Sequence, residues 1–112
     1  MDSTRQQKIA RQIQKDIGDI FLKEGADLVR GALVTVTKVR VSPDMGLAKI
    51  YISVFPFEKS KEMLEHLTAN VSRVRGALGN RVRSQFRVVP ELVFYIDDSL
   101  EYVDRIETLL KE

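Results

Sequence analysis

A chain of 112 residues with 44% hydrophobic and 30% charged residues is large enough for one domain with its own core, and its mixture is that of a folded rather than a disordered protein. The first residues are charged, with no apolar core of a secretory signal, and no apolar run approaches the roughly 18 residues of a membrane span, so a cytoplasmic protein is expected. With zero cysteines there is no disulfide framework, no thiolate nucleophile and no cysteine-based zinc site.

Ser3 followed by Gln6 has the spacing of a capping box, and Ile9, Ile13, Ile17, Ile20 and Phe21 recur at steps that share one helical face. This predicts a first helix running to about Glu24, with Gly25 in the C′ position. Arg5, Lys8, Arg11 and Lys15 lie off the stripe, as its solvated side or as a second contact for RNA. Ala26 to Arg30 reads as a connector. Leu33 to Ser42 is rich in Val and Thr and predicts a strand, but its alternation is imperfect: Leu33, Val39 and Val41 share one parity, Val34 and Val36 the other. A bulge near Thr37 reconciles them; partial cover on both faces is the alternative. Pro43-Asp44-Met45-Gly46 has turn chemistry. Ala48 to Phe55 alternates cleanly, with Ala48, Ile50, Ile52 and Val54 inward and Lys49, Tyr51, Ser53 and Phe55 outward, so the two strands form an antiparallel hairpin.

Pro56 ends that strand. Met63, Leu64 and Leu67 restore helical spacing across Glu58 to Asn70, and Val71, Val74, Leu78, Val82 and Phe86 continue it in a second helix whose start is not marked. Pro90 blocks further helix and biases Val89 toward extended backbone. Leu92, Phe94 and Ile96 then form the inner face of a third strand, with Val93 and Tyr95 outside. Asp98 and Glu101 predict the cap of a last helix, with Tyr102 or Val103, Ile106, Leu109 and Leu110 apolar. The order helix, strand, strand, helix, helix, strand, helix predicts one α+β two-layer domain over residues 1–112, its three-stranded sheet covered by helices on one face. The passage into the third strand has to cross over the sheet.

The formal net charge is +2, but its distribution is uneven. Residues 71–90 hold Arg73, Arg75, Arg81, Arg83 and Arg87 without a single acid, whereas residues 91–112 carry seven acids against two cations. The planar guanidinium fork donates two parallel hydrogen bonds to two phosphate oxygens, which suits a polyanion. The five arginines, extended across the hairpin by Lys38, Arg40 and Lys49, are the candidate RNA-binding residues. The plainer alternative is a solvated helix face paired with the acidic tail. A rival function is a protein-interaction module whose basic helix docks an acidic protein.

Four segments carry a resemblance. Val41-Ser42-Pro43-Asp44-Met45-Gly46-Leu47-Ala48-Lys49-Ile50-Tyr51 resembles a VxxS-x-D-x-x-x-A-x-V-Y pattern, and Arg75-Gly76-Ala77-Leu78-Gly79 an R-x-x-L-G segment. Arg87-Val88-Val89-Pro90-Glu91-Leu92-Val93-Phe94 resembles an R-x-x-PEL-x-F signature, and Asp97-Asp98-Ser99-Leu100 follows it. Together, and in order over nearly the whole chain, they resemble the bacterial ribosome-binding factor A family. The resemblance implies a type II KH-like fold and a non-catalytic factor acting late in small-subunit assembly. Such a factor is expected to bind 16S rRNA in the immature 30S subunit, to support maturation of the rRNA 5′ end and to matter most in the cold. A monomer is expected, with a GTPase releasing it. The family replaces the KH loop by an Ala-x-Gly helix kink, and the matching stretch here, Asn70 to Val74, has no glycine. Ala77-Leu78-Gly79 spells Ala-x-Gly nearer to Pro90, and Gly76-Ala77-Leu78-Gly79 spells the KH signature GxxG. Leu78 belongs to the apolar stripe, so these glycines are read as helical, marking close packing, a bend or close approach of RNA.

No residue pattern argues for an enzyme. His66 is the only histidine, among Met63, Leu64 and Leu67. Asp97 and Asp98 are neighbours on a strand end and point apart, which suits capping better than metal ligation. No phosphate-loop, dinucleotide or zinc spacing occurs, so no cofactor, metal or small-molecule substrate is expected. Tyr51, Phe55 and Tyr95 face outward, where they stack on bases, or are covered by a terminal segment or by each other.

Overall fold

The computed structural model describes residues 3–23, 29, 32–86 and 88–97. The last predicted helix, the Gly25 stop and Arg87 lie outside the described residues. Helix α1 spans Thr4–Lys23, strand β1 Leu33–Val41 and strand β2 Leu47–Phe55. A short 3-10 turn, Phe57–Lys59, leads into α2, Ser60–Ala69, then α3, Val71–Val82, and β3, Glu91–Ile96.

The capping box at the start of α1 forms reciprocally: the Gln6 amide N–H donates to Ser3 Oγ at 3.1 Å, and the Ser3 N–H donates to Gln6 Oε1 at 2.9 Å. Gln6 then uses its side-chain Nε2 to reach the carbonyl of Val41 at 2.9 Å. One residue thus starts the helix and fastens it to the end of β1. Ile13, Ile17, Ile20 and Phe21 are buried on the face the spacing selects. Burying such a side chain contributes about 1.5–3 kcal/mol, which offsets the entropy of ordering the helix.

The sheet has the order β1-β2-β3. β1 and β2 pair antiparallel from Val41 opposite Ala48 to Leu33 opposite Phe55, and the register shifts between Val36 and Lys38. The bulge at Thr37 therefore exists, and it resolves the broken alternation: Val34, Val36, Val39 and Val41 are all buried, and Leu33 is outside. The extra residue is put to use. Thr37 Oγ1 donates to Asp97 Oδ2 at 2.6 Å, while the Asp97 N–H donates to the carbonyl of Ile52 at 2.7 Å.

β3 pairs parallel to β2, from Leu47 opposite Glu91 to Ile52 opposite Ile96. A parallel neighbour requires the intervening chain to return across the sheet, and α2 and α3 make that return. Val74, Leu78 and Val82 of α3 and Leu67 of α2 are fully buried in one cluster with Ile50 and Ile52 of the central strand. All three helices lie on the same face, in the two-layer α+β order of a type II KH-like domain for the elements described.

The two middle helices part at Asn70, whose backbone (φ −109°, ψ 21°) leaves the helical region. Its main-chain N–H donates to the carbonyls of His66 and Leu67, its side-chain Nδ2 donates to the His66 carbonyl at 2.9 Å, and its own carbonyl accepts from the N–H groups of Arg73 and Val74. Asn70 closes one helix and opens the next, in the stretch where the resemblance implies a kink between helices. Gly76 and Gly79 sit inside α3, so the GxxG spelling forms no loop.

Candidate nucleic-acid interface

The candidate residues divide into two sets, and the sheet stands between them. Arg73, Arg75, Arg81 and Arg83 belong to the helical layer. Lys38, Arg40 and Lys49 are exposed on the opposite face of the sheet, which none of the described helices covers. The expectation that the hairpin cations extend the helical patch is corrected here. Val39 and Val41 point inward, so Lys38 and Arg40, which alternate with them beyond the bulge, must point away from the helices. Arg87 lies outside the described residues.

On the helical layer, Arg75 and Arg81 are engaged with the protein. Arg75 donates from Nε to the carbonyl of Pro90 at 3.1 Å and from Nη2 to the carbonyl of Val89 at 2.7 Å. It thereby pins the chain just before β3, where Pro90 has no N–H to offer. Arg81 is half-buried and donates from Nη1 to Asp19 Oδ2 at 2.6 Å, joining α3 to α1. That hydrogen bond lowers the Asp19 carboxyl below its ordinary value against a smaller opposing effect of desolvation, with help from Lys23, whose Nζ lies 3.5 Å away. Arg73 and Arg83 are exposed.

A basic concavity lies beside these residues. A groove of about 560 Å³ runs between α1, the hairpin turn and the segment before β3; Arg5 and Lys8 border it, with Ile9, Met45, Phe86 and Val88 among its apolar walls. A second hollow, of about 610 Å³, continues past Lys8 to Arg11 and Lys15. The sequence shows this row of cations, but only the fold shows that Phe86 and Gln85 come to lie against it.

The turn that forms one wall is rigidly bonded. Asp44 Oδ1 accepts from the Ser42 hydroxyl at 2.6 Å and from the Gly46 N–H at 3.0 Å, and both lower its carboxyl below the ordinary value, the Ser42 bond most. Met45, not Gly46, takes the positive φ of 62°. The Gly46 carbonyl accepts from the N–H of Glu91 at 3.0 Å, so the turn also sets where β3 begins.

On the open sheet face, Lys38, Tyr51 and Tyr95 form one cross-strand row, and Arg40, Lys49 and Val93 the next. The Tyr51 and Tyr95 rings stack with centroids 5.4 Å apart. Lys38 Nζ lies 5.8 Å from the Tyr51 centroid, within cation–π range. The tyrosines therefore do cover each other in part, while Phe55 stays 66% exposed.

Among the described residues, no group of histidine, aspartate and glutamate could hold a metal ion, and no helix is long and apolar enough to cross a membrane. The two exposed basic faces offer cations and hydrogen-bond donors, which suit a phosphate-rich surface.

Residues 5–110 match the family model described as ribosome-binding factor A. A relative of that description from Flavobacterium psychrophilum is 44% identical over 111 residues, covering 98% of this chain and 85% of its own length. The chain belongs to the ribosome-binding factor A family. The crystal structure of ribosome-binding factor A from Thermus thermophilus has the same fold, with a TM-score of 0.69 at 23% identity over 81% of this chain and 94% of that one. Coordinates of the Thermus thermophilus factor fitted into a cryo-electron-microscopy map of its 30S complex align with a TM-score of 0.62 at 26% identity, over 80% of this chain and 91% of that one.

Proposed function

We propose that this member of the ribosome-binding factor A family binds the immature small ribosomal subunit in the cytoplasm and acts there without catalysing a reaction. Its contact is with 16S rRNA, and its role is in late maturation, including processing of the rRNA 5′ end, with the greatest need in the cold. A GTPase frees it when the subunit is complete.

The observation that carries this reading is the pair of exposed basic faces on one two-layer domain. Arg73 and Arg83 serve one face, and Lys38, Arg40 and Lys49 the other. The 30S complex of the Thermus thermophilus factor supports the choice of partner. Arg75 and Arg81 hold the helical layer in shape and add charge beside it. Arg87 keeps its place in the reading by sequence alone. Phosphate contacts position the protein without reading sequence, so specificity comes from the folded shape of the rRNA. Two faces carrying charge on opposite sides of one domain would let the protein sit between two rRNA elements and hold them in an unfinished arrangement.

The test is co-sedimentation with precursor and mature small subunits across a salt series. Preferential association with precursor particles is expected, falling steeply as salt rises, because each phosphate neutralised releases counterions. Association that ignores salt, or that survives charge reversal on both faces in a folded protein, would assign the chain to a protein partner instead.

A further inference from the structure

We propose that the open face of the sheet is a stacking platform for unpaired nucleotides, with Tyr51 and Tyr95 as the base contacts. The inference rests on the rRNA reading above and adds to it the class of RNA, single-stranded, that this face accepts.

The argument begins with register. β2 pairs antiparallel on one side and parallel on the other, and that arrangement places Lys38, Tyr51 and Tyr95 in one line across all three strands. One pleat further on, Arg40, Lys49 and Val93 form a second line. A strand presents every second residue to the same face, so the two lines are adjacent, about 6.6 Å apart. A row of rings beside a row of cations is what an extended single strand requires. Its bases present π-faces, and its phosphates follow at a short, regular offset. A duplex hides its base faces in the stack and cannot use the rings.

The neighbouring residues bound the platform. Thr35 and Ser53 form a small polar row beyond the tyrosines, and Leu33 and Phe55 lie beyond that. Among the described residues, two carboxylates stand at the margins: Glu91, opposite Leu47, and Asp97, which accepts from the Thr37 hydroxyl. Tyr95 is 40% exposed although it stacks on Tyr51, so ring surface remains for a further partner. Lys38 near the Tyr51 ring adds a cation to the stack. A sheet face kept apolar only for folding would not need three exposed cations around two tyrosines.

The chain has no tryptophan and three tyrosines, so in a Tyr102→Phe background its emission reports on Tyr51 and Tyr95 alone. Titrating the full chain with an eight-nucleotide oligo(A) strand should quench that emission. An abasic strand of the same length and charge should bind about tenfold or more weakly, with little quenching. Tyr51→Leu with Tyr95→Leu should lower affinity for oligo(A) by about ten- to a hundredfold, while Tyr51→Phe with Tyr95→Phe, which keeps both rings, should bind as the parent does. Equal binding of abasic and intact strands, or unchanged affinity in a folded leucine variant, overturns the stacking proposal but leaves the phosphate reading intact provided small subunits are still bound in a salt-dependent way. Failure to bind small subunits at all overturns the reading beneath it. Subunit binding lost on Leu33→Ser with Phe55→Ser but kept in the leucine variant would make this face a protein contact and also overturn the proposal.

Discussion

Arg75 and Arg81 on the helical layer direct their guanidinium donors inward, to the Val89 and Pro90 carbonyls and to Asp19. Lys38, Arg40 and Lys49 on the sheet stand exposed on a flat face whose other side is the core. Both regions are basic, and in a string of letters the helical one is the more conspicuous. The contrast teaches that charge density along a sequence does not measure the charge available to a partner. An arginine that closes a structural hydrogen bond has already exchanged its water for protein, and a phosphate must compete for it. Lys38 and Lys49 stand at exposed strand positions, which contribute mainly cross-strand contacts worth a few tenths to 1 kcal/mol.

The largest effect should come from reversing the sheet face. Lys38→Glu, Arg40→Glu and Lys49→Glu together are expected to leave the protein folded and to lower small-subunit affinity by about a hundredfold or more near 0.1 M salt. The salt dependence should flatten by about one unit of logarithmic slope for each phosphate no longer neutralised. Reversing Arg73 and Arg83 should cost less, since that pair removes two cations rather than three. Equal weakening of sedimentation would dissolve the contrast, and a stronger effect of the helical pair would invert it.

Arg75 tests the other half. Arg75→Ala removes two hydrogen bonds to main-chain carbonyls and should destabilise the fold by about 1–2 kcal/mol, discounted for the exposure of the side chain. Lysine should recover little, because one ammonium cannot reproduce two parallel donors. Chemical denaturation reads the difference. A fully stable Arg75→Ala protein with weakened subunit binding would move Arg75 from scaffold to contact.

These assignments mark where the sequence stops being legible. The apolar stripes of α1, α2 and α3, the reciprocal cap at Ser3 and Gln6 and the bulge at Thr37 could all be read, because each depends on spacing or on a conflict within a few residues. The bulge is the sharpest case: Val34 and Val39 cannot both face inward in a regular strand, so an irregularity between them was required. The division of the arginines could not be read. Arg81 meets Asp19 across 62 positions, and Arg75 meets Val89 and Pro90 only because α3 returns along β3. The break at Asn70 was legible as a place, the end of the helix expected over Glu58 to Asn70, but not as a mechanism, since a break made by an amide side chain leaves no pattern in the surrounding hydrophobic residues. The face of the sheet that carries Tyr51 and Tyr95 was legible by alternation, but their stacking depends on the parallel register of β3, which no local signal fixes.

The Arg81–Asp19 pair gives a smaller effect, and its sign can be worked out. Asp19 is held below its ordinary value in the folded chain, so it contributes stability that is present above the unfolded carboxyl pKa and is lost as pH falls through the lower, folded one. Asp19→Asn should therefore be less stable than the parent at neutral pH, by less than the Arg75 variant, and the gap should close as pH drops below about 3.8. Subunit binding should hold or improve slightly, because a carboxylate competing for Arg81 has gone. A gap that stays constant down to acidic pH would mean that Asp19 acts through packing rather than charge.

The smallest effect separates two glycines of α3. A Cβ built at Gly76 meets nothing within 4 Å, whereas one at Gly79 meets Val89 Cγ2 at 3.4 Å. Glycine inside a helix costs up to about 1 kcal/mol relative to alanine, because the unfolded chain has more freedom to lose. Gly76→Ala should therefore stabilise the protein by most of that amount, and Gly79→Ala by less, since the added methyl presses on the residue that Arg75 holds. Small-subunit binding should change little in either, because the helical layer presents phosphate-reaching side chains rather than its backbone. A Gly76→Ala protein that melts higher yet binds tenfold more weakly would show RNA coming close to the α3 backbone itself, and this layer would then share the interface on equal terms with the sheet.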